Sequence, residues 1–286
     1  MGAPDPARPT ARHLRDGSTL SVEPPSGRPL ALTVYGSATC EDTAITRSRL
    51  HALGVPFRDV DIDAAPDGLD HVLALNGGRR VTPTLVVEGD DLVAAEPSIE
   101  RVDGLVARAG YPIVPPRAVQ FHAPRTGRPV PFLSVPTARG ERFSLAEWRG
   151  RRQAVLFFAH PATCLACLGY ATQLARQAEA LAEADARPLV VVAGEAAEAA
   201  DWRSELPPAV TLLADPAGAW RRRVAGDLGA APDDVLLLVL DRYCAPRAGS
   251  VAGEAGGLLG PGEATEWSRF VTLDCPECGG EVPWPA

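Results

Sequence analysis

Phe157-Phe-Ala-His-Pro-Ala-Thr-Cys164-Leu-Ala-Cys167 is the stretch that decides the fold. The apolar run Ala154–Ala159 (AVLFFA) reads as a buried strand, and an alanine-rich segment from about Leu165 to Ala186 reads as a helix. A short loop joins them, so a Cys-x-x-Cys pair opens the helix. Two sulfurs at that spacing can meet across the first helical turn. Cys164, at the end of the loop, is expected to be exposed and to attack a disulfide. Cys167, one turn deeper, is expected to resolve the mixed disulfide. His160 has two open readings: it tunes Cys164 and moves its proton, or it only fills the strand end. Thr163 lies beside the attacking sulfur and is a candidate substrate contact. The alternative for the pair is two inert core thiols.

Outward from that loop, strands and helices alternate. A hairpin over about 132–143 precedes it. Strands at Leu189–Ala193, Val210–Ala214 and Val235–Leu240 follow, with helices at Asp201–Glu205, Ala217–Val224 and Ala264–Leu273. An earlier series has the same grammar. Leu30–Tyr35, Phe57–Ile62, Thr84–Glu88 and Leu92–Ala94 read as strands, and Glu41–Leu53, Gly68–Leu75 and Ser98–Ala109 as helices. Its order, β-α-β-α-β-β-α, is that of the thioredoxin fold. The reading is therefore α/β: two thioredoxin-fold domains in tandem, each a central mixed sheet flanked by helices. The expected divisions are a leader at 1–29, a first domain at 30–109, a proline-rich linker at 110–131, a second domain at 132–274 and a Cys-Pro-Glu-Cys tail at 275–286.

In the first series Cys40 sits where strand meets helix. Helix-terminal N–H groups and the helix dipole favour a thiolate there, whereas the adjacent Glu41 and Asp42 oppose it. Val81-Thr82-Pro83-Thr84 leads into a strand, the usual place for a cis proline beside a redox thiol. On Tyr35 to Cys40, Gly54-Val-Pro-Phe57, Asp61-Ile-Asp63, Asn76-Gly-Gly78 and Thr82-Pro83-Thr84, the stretch from about 31 to 107 resembles the glutaredoxin family, its mycoredoxin-like members especially. That resemblance implies that Cys40 is the nucleophile, that Pro83 is cis and that the Thr82 backbone pairs with a substrate. Thr43 stands where the second cysteine is usual, so the site is monothiol and needs an outside thiol to resolve its mixed disulfide. An inert domain with a docking role is the alternative.

Residues from about 125 to 274 resemble the redoxin superfamily, the alkyl hydroperoxide reductase/thiol-specific antioxidant group in particular, on Val130-Pro-Phe132, the Phe157-Phe158 strand, the cysteine loop, Asp215-Pro-Ala-Gly218 and Val239-Leu-Asp241. The peroxidase frame Pro-x-x-x-Thr/Ser-x-x-Cys is not met, because Pro161 to Thr163 is too short by two residues. The Cys-x-x-Cys looks more like the superfamily's thioredoxin-type reductases. Pro232 is a candidate for a second cis proline.

The chain has 286 residues and a formal net charge of −8, which argues against nucleic acid or an anionic membrane as partner. Its basic residues are all arginine. The runs Arg151-Arg152 and Arg221-Arg222-Arg223 read as solvated surface. No apolar run is long enough to span a membrane and no signal-peptide core is present, so a cytoplasmic, reducing location is expected. Of the six cysteines, Cys275 and Cys278 form a Cys-Pro-x-Cys-Gly knuckle. It reads as an auxiliary redox shuttle for the Cys164–Cys167 pair, as half of a zinc site, or as inert. Cys244 reads as a bystander. The expected activity is thiol–disulfide oxidoreduction without a cofactor, with Cys40 as a relay, a low-molecular-weight thiol or thioredoxin-type protein as reductant, and a disulfide-containing client or a peroxide as substrate. A peroxiredoxin-like peroxidase and a non-enzymatic zinc-bound or docking protein are the alternatives.

Overall fold

A computed structural model describes residues 29–89, 92–113, 129–132 and 134–273. The leader, most of the linker and the cysteines of the tail lie outside the described residues.

The first domain is built on β1 (Leu32–Gly36), β2 (Phe57–Asp61), β3 (Thr84–Val87) and β4 (Leu92–Ala95), with α1 (Glu41–Ala52), α2 (Pro66–Leu75) and α3 (Ile99–Arg108). The sheet order is β2-β1-β3-β4. β1 and β2 run parallel across the α1 crossover, and β3 and β4 form an antiparallel hairpin beside them. Ser98 caps α3 by accepting from the Arg101 N–H.

The second domain opens with a hairpin, β5 (Ser134–Pro136) and β6 (Arg142–Ser144). The five-stranded sheet has the order β11-β10-β7-β8-β9 and comprises β7 (Gln153–Pro161), β8 (Ala186–Ala193), β9 (Thr211–Asp215), β10 (Val235–Leu240) and β11 (Pro246–Ala252). β7, β8 and β9 are parallel; β10 is antiparallel to β7, and β11 is antiparallel to β10. Central β7 and β10 are buried almost end to end, as expected of strands covered on both faces. The helices are α4 (Leu165–Arg176), α5 (Ala178–Glu183), α6 (Ala196–Ala199), α7 (Ala219–Leu228) and α8 (Pro261–Leu273).

Three expectations need correction. The single helix over 165–186 is two helices that meet at Gln177, and Ala186 already belongs to β8; Asp185, at a positive φ of 52°, makes the turn between them. β11 was not anticipated. It begins at a proline and carries Arg247 and Gly249, a weak strand pattern tolerated because it lies at the sheet edge. Arg221 is not solvated surface but is only 9% exposed.

The two domains pack directly, α1 against α4. Both faces of α1 are covered: Leu50 joins the core of its own domain, whereas Ile45, together with Ile99 at the start of α3, joins the core of the second. The helices approach so closely that a Cβ on Gly169 would lie 2.3 Å from the Glu41 carbonyl oxygen. A Cβ on Gly256 would meet the Arg49 backbone nitrogen at 2.3 Å. Arg49, 3% exposed, anchors the contact. Its Nε and Nη2 donate to the two carboxylate oxygens of Asp103 (2.7 and 2.6 Å), and Nη1 donates across the interface to the carbonyls of Gly256 (2.8 Å) and Leu258 (3.1 Å). Further bonds cross the same boundary, among them Ile99 N–H to Gln173 Oε1, Gly262 N–H to Glu100 Oε1 and Arg176 to Asp42.

Candidate active site

β7 delivers the peptide chain into the loop Ala162–Cys164, and Cys164 is the N-cap of α4, with extended backbone (φ −81°, ψ 99°) and no side-chain capping bond. The sulfur is thus free for chemistry instead of being used to satisfy the helix end. The loop is fixed from two sides: Cys164 N–H donates to Pro161 O (2.9 Å) and Trp202 Nε1 donates to Ala162 O (2.8 Å). Cys164 is half-buried, and Cys167, one turn further, is fully buried against the core. His160 Nδ1 lies 3.8 Å from Cys164 Sγ, and the three ligand atoms of His160, Cys164 and Cys167 all fall within 4.8 Å of one another.

The electrostatics divide the two thiols. Cys164 is pulled from an ordinary value of 9.0 down to about 4, first by the hydrogen bond from Cys167 and then by His160, against the opposing effect of burial. Cys167 moves strongly upward because its S–H is the donor in that bond and because it is buried. His160 is raised, chiefly by its bond to Cys164. The arrangement holds one sulfur as a thiolate and the other as a thiol.

His160 is itself oriented. Its Nε2 lies 2.9 Å from the carbonyl oxygen of Asp233. A carbonyl only accepts, so Nε2 carries a proton and Nδ1 faces the sulfur. Of the two readings of His160, the geometry matches the one beside the thiol. Thr163 is exposed next to Cys164. Arg221 reaches the same neighbourhood, with Nη2 3.8 Å from Asp233 Oδ1. Its helix is capped by buried Asp215, which accepts from the N–H groups of Trp220 (2.9 Å) and Arg221 (2.8 Å). The motif Asp215-Pro-Ala-Gly218 therefore works as a helix start.

In the first domain Cys40 is likewise an N-cap, at the head of α1, without a side-chain capping bond. Its Sγ donates to Thr82 O at 3.4 Å. Thr82–Pro83 is the one cis peptide among the described residues, so Pro232 is trans. Thr43 is fully buried and its Oγ1 accepts from Ser37 N–H (3.4 Å). It packs so tightly on Gly36 that a Cβ there would sit 2.3 Å from Thr43 Cγ2. No second sulfur stands beside Cys40 among the described residues. Asp42, expected to oppose a thiolate, has its charge paired with Arg176 at 2.9 Å. Near the same loop, Asp63 accepts from Ser37 Oγ (2.6 Å) and Arg80 (2.7 Å), and these bonds hold its carboxyl below the usual range.

Cys244 is buried in a left-handed turn (φ 65°) and donates to Leu145 O at 3.6 Å; burial and Asp241 push it up to about 11. That is the environment of an inert thiol. Cys275 and Cys278 lie outside the described residues. The sequence gives no sign of three supports of the site. Asp233 acts through its backbone carbonyl, and Trp202 and Arg221 come from distant segments.

Residues 32–93 match the Glutaredoxin family model and residues 126–237 the AhpC/TSA family model. No curated protein gives a significant match. Among solved structures, the chain is similar to the peroxidoxin BcpB from Mycobacterium tuberculosis (18% identity, 52% of this chain and 96% of that one, TM-score 0.43). It is similar also to peroxiredoxin 5 from Alvinella pompejana (14% identity, 52% and 97%, TM-score 0.40) and to a secreted thiol-disulfide isomerase from Corynebacterium glutamicum (15% identity, 55% and 92%, TM-score 0.43). Likenesses this distant assign neither substrate nor activity.

Proposed function

We propose that this chain, a glutaredoxin domain followed by an AhpC/TSA domain, is a thiol–disulfide oxidoreductase whose working pair is Cys164 and Cys167. One observation carries the reading: a half-buried cysteine with a free sulfur caps α4, and a fully buried cysteine lies one turn deeper within reach of it. The Cys164 thiolate attacks a client disulfide; an S–S bond forms to one client sulfur and the other leaves as a thiolate. Cys167 then attacks the Cys164 sulfur, its proton passing to the departing client sulfur. The protein pair has lost two electrons and the client disulfide has gained them. His160, Thr163 and the loop held by Trp202 position the attack. A low-molecular-weight thiol opens the oxidised Cys164–Cys167 disulfide as a mixed disulfide on Cys164; Cys40, facing the Thr82 carbonyl beside cis Pro83, attacks the low-molecular-weight sulfur, so that Cys164 leaves as a thiolate, and a second molecule of the thiol resolves Cys40 and leaves as the low-molecular-weight disulfide; the tail cysteines Cys275 and Cys278 are the other source of electrons. A pair that works from its reduced form suits a cytoplasmic, reducing setting.

The AhpC/TSA match favours a second reading, a thiol-dependent peroxidase, in which the Cys164 thiolate attacks a peroxide oxygen, the O–O bond breaks and the other oxygen leaves as water or an alcohol, and Cys167 condenses with the resulting sulfenic acid, releasing a water. Stopped-flow assays with a model protein disulfide and with hydrogen peroxide separate the two. Disulfide reduction lost in Cys164→Ser, with a mixed disulfide trapped by mass spectrometry in Cys167→Ser, is the expected result. Full disulfide reductase activity in Cys164→Ser would sink the assignment, and peroxide consumption faster than disulfide reduction selects the peroxidase.

A further inference from the structure

We propose that His160 Nδ1, Cys164 Sγ and Cys167 Sγ form a three-ligand metal site for Zn2+, complete without the tail cysteines and open at a fourth position. The inference goes beyond the oxidoreductase reading, since it concerns what the same sulfurs hold when no disulfide is present. Three observations on the molecule carry it.

The first is spacing. Tetrahedral zinc holds sulfur at about 2.3 Å and imidazole nitrogen at about 2.0–2.1 Å, so a sulfur and a nitrogen sharing one ion lie about 3.6 Å apart and two sulfurs about 3.8 Å. His160 Nδ1 and Cys164 Sγ are 3.8 Å apart, and Cys167 Sγ completes a triangle with no side above 4.8 Å. The His160–Cys164 side already lies within about 0.2 Å of that ideal, and the longest side has to contract by no more than about 1 Å.

The second is the state of the imidazole. Metal-bound histidines characteristically donate the other ring N–H to a carbonyl or carboxylate, which fixes the ring and leaves the ligating nitrogen bare. His160 does this through Nε2 to Asp233 O at 2.9 Å. Its partner is backbone on the loop before β10, so the orientation does not depend on a mobile side chain.

The third is access and charge. Cys167 is buried, whereas His160 and Cys164 are half-exposed, so an ion enters from the side of the latter two and Cys167 forms the floor. Two thiolates and one Zn2+ sum to zero, which suits a half-buried place; Arg221, the nearby cation, has the Asp233 carboxylate beside it. Three protein ligands with an open fourth position are the pattern of zinc sites that exchange or activate a ligand, not of closed structural sites. A client disulfide that oxidises the pair takes two electrons from the sulfurs, leaves as two thiolates and releases the ion.

The test uses the full chain with Cys275→Ser and Cys278→Ser, reduced and then freed of reductant, titrated with Zn2+ against a chromophoric chelator and with Co2+ as a spectroscopic probe. Expected are one ion per chain, a thiolate-to-cobalt charge-transfer band in the near ultraviolet, and tetrahedral d–d bands. Further His160→Ala is expected to weaken binding about tenfold or more, and oxidation to the Cys164–Cys167 disulfide to abolish it. Zinc binding lost on removing the tail cysteines, or unchanged in His160→Ala, overturns the proposal. Disulfide reductase activity of the metal-free chain is read separately, so failure of the site and failure of the oxidoreductase reading are distinguishable.

Discussion

Replacing Arg49 by methionine is expected to uncouple the two domains. Methionine keeps much of the stem's volume and removes the guanidinium. Four hydrogen bonds go with it, two to Asp103 and two to the carbonyls of Gly256 and Leu258. Breaking a buried ion pair by removing one partner costs about 3–5 kcal/mol, and an orphaned buried acceptor costs about 1–3 kcal/mol. These do not add in full. Asp103 retains some exposure, 25% of its side chain, and the carbonyls regain water once the domains part. The loss is therefore capped by the free energy of docking, and about 3 kcal/mol is expected. The assay is urea unfolding followed by two probes. All five tryptophans lie at or beyond residue 148, so fluorescence follows the second domain, whereas far-ultraviolet circular dichroism follows both. In the parent the two transitions coincide; in Arg49→Met the dichroism transition begins at lower urea. Arg49→Lys keeps the charge but cannot reach three partners at once, and falls between. Coincident transitions in Arg49→Met, with a change below about 1 kcal/mol, would refute the reasoning that this residue holds the domains together.

Other outcomes follow from the site. With metal removed by chelator, alkylation of Cys164 should keep its plateau rate as pH falls to about 5 and decline near pH 4, because a depressed pKa keeps the thiolate present above it; Cys167→Ala, which deletes the S–H donor, should move that decline toward neutral pH. Trp202→Phe removes the bond to Ala162 O and should lower the rate of disulfide reduction severalfold while unfolding shifts by only about 1 kcal/mol, a contrast checked by kinetics and denaturation on one sample. Cys40→Ser should abolish the adduct that peptide mass spectrometry places in the first domain after exposure to a low-molecular-weight disulfide, and leave reduction of a client by dithiothreitol-reduced enzyme unchanged.

What the sequence disclosed, and what it withheld, divides along the range of the interactions. The alternation of apolar strands and helices is local, and both cysteines at helix starts were legible because a buried strand, a short turn and an amphiphilic run lie side by side in the chain. β10 is placed residue for residue at Val235–Leu240. The break at Gln177 was invisible, since alanine-rich sequence favours helix on either side and only packing of α5 against β8 decides the stop. The interface was equally hidden. Thr43, Thr46, Ser48 and Arg49 have the composition of a solvated helix face, yet all four are buried. The cross-domain partners of Ser48 and Arg49 lie far along the chain: Ser48 pairs with Glu254 and Gly256, and Arg49 with Gly256 and Leu258. The anchor of His160 is a main-chain oxygen seventy-three residues away, which no side-chain pattern records.

That hidden interface bears on how electrons could pass between the domains. A disulfide between two cysteines needs their Cα atoms within about 7 Å. Each candidate sulfur is engaged within its own domain, Cys40 with the Thr82 carbonyl and Cys164 with His160. α1 is pinned against the second domain at two points, at Gly169 of α4 against the Glu41 carbonyl and at Gly256, in the turn after β11, against Arg49. Sliding α1 across the second domain meets backbone at both points, because neither glycine leaves slack. Cys40 and Cys164 are both free thiols in this arrangement, so a direct disulfide between them would have to form against that resistance. If docking is worth about 3 kcal/mol, separation is disfavoured by about two powers of ten. A small diffusible thiol meets no such barrier, since it reaches the half-buried Cys164 with the interface intact. The bonds of Arg49 thus bear on the choice of carrier as well as on stability: the tighter the docking, the more a relay depends on a molecule that leaves one sulfur and finds the other.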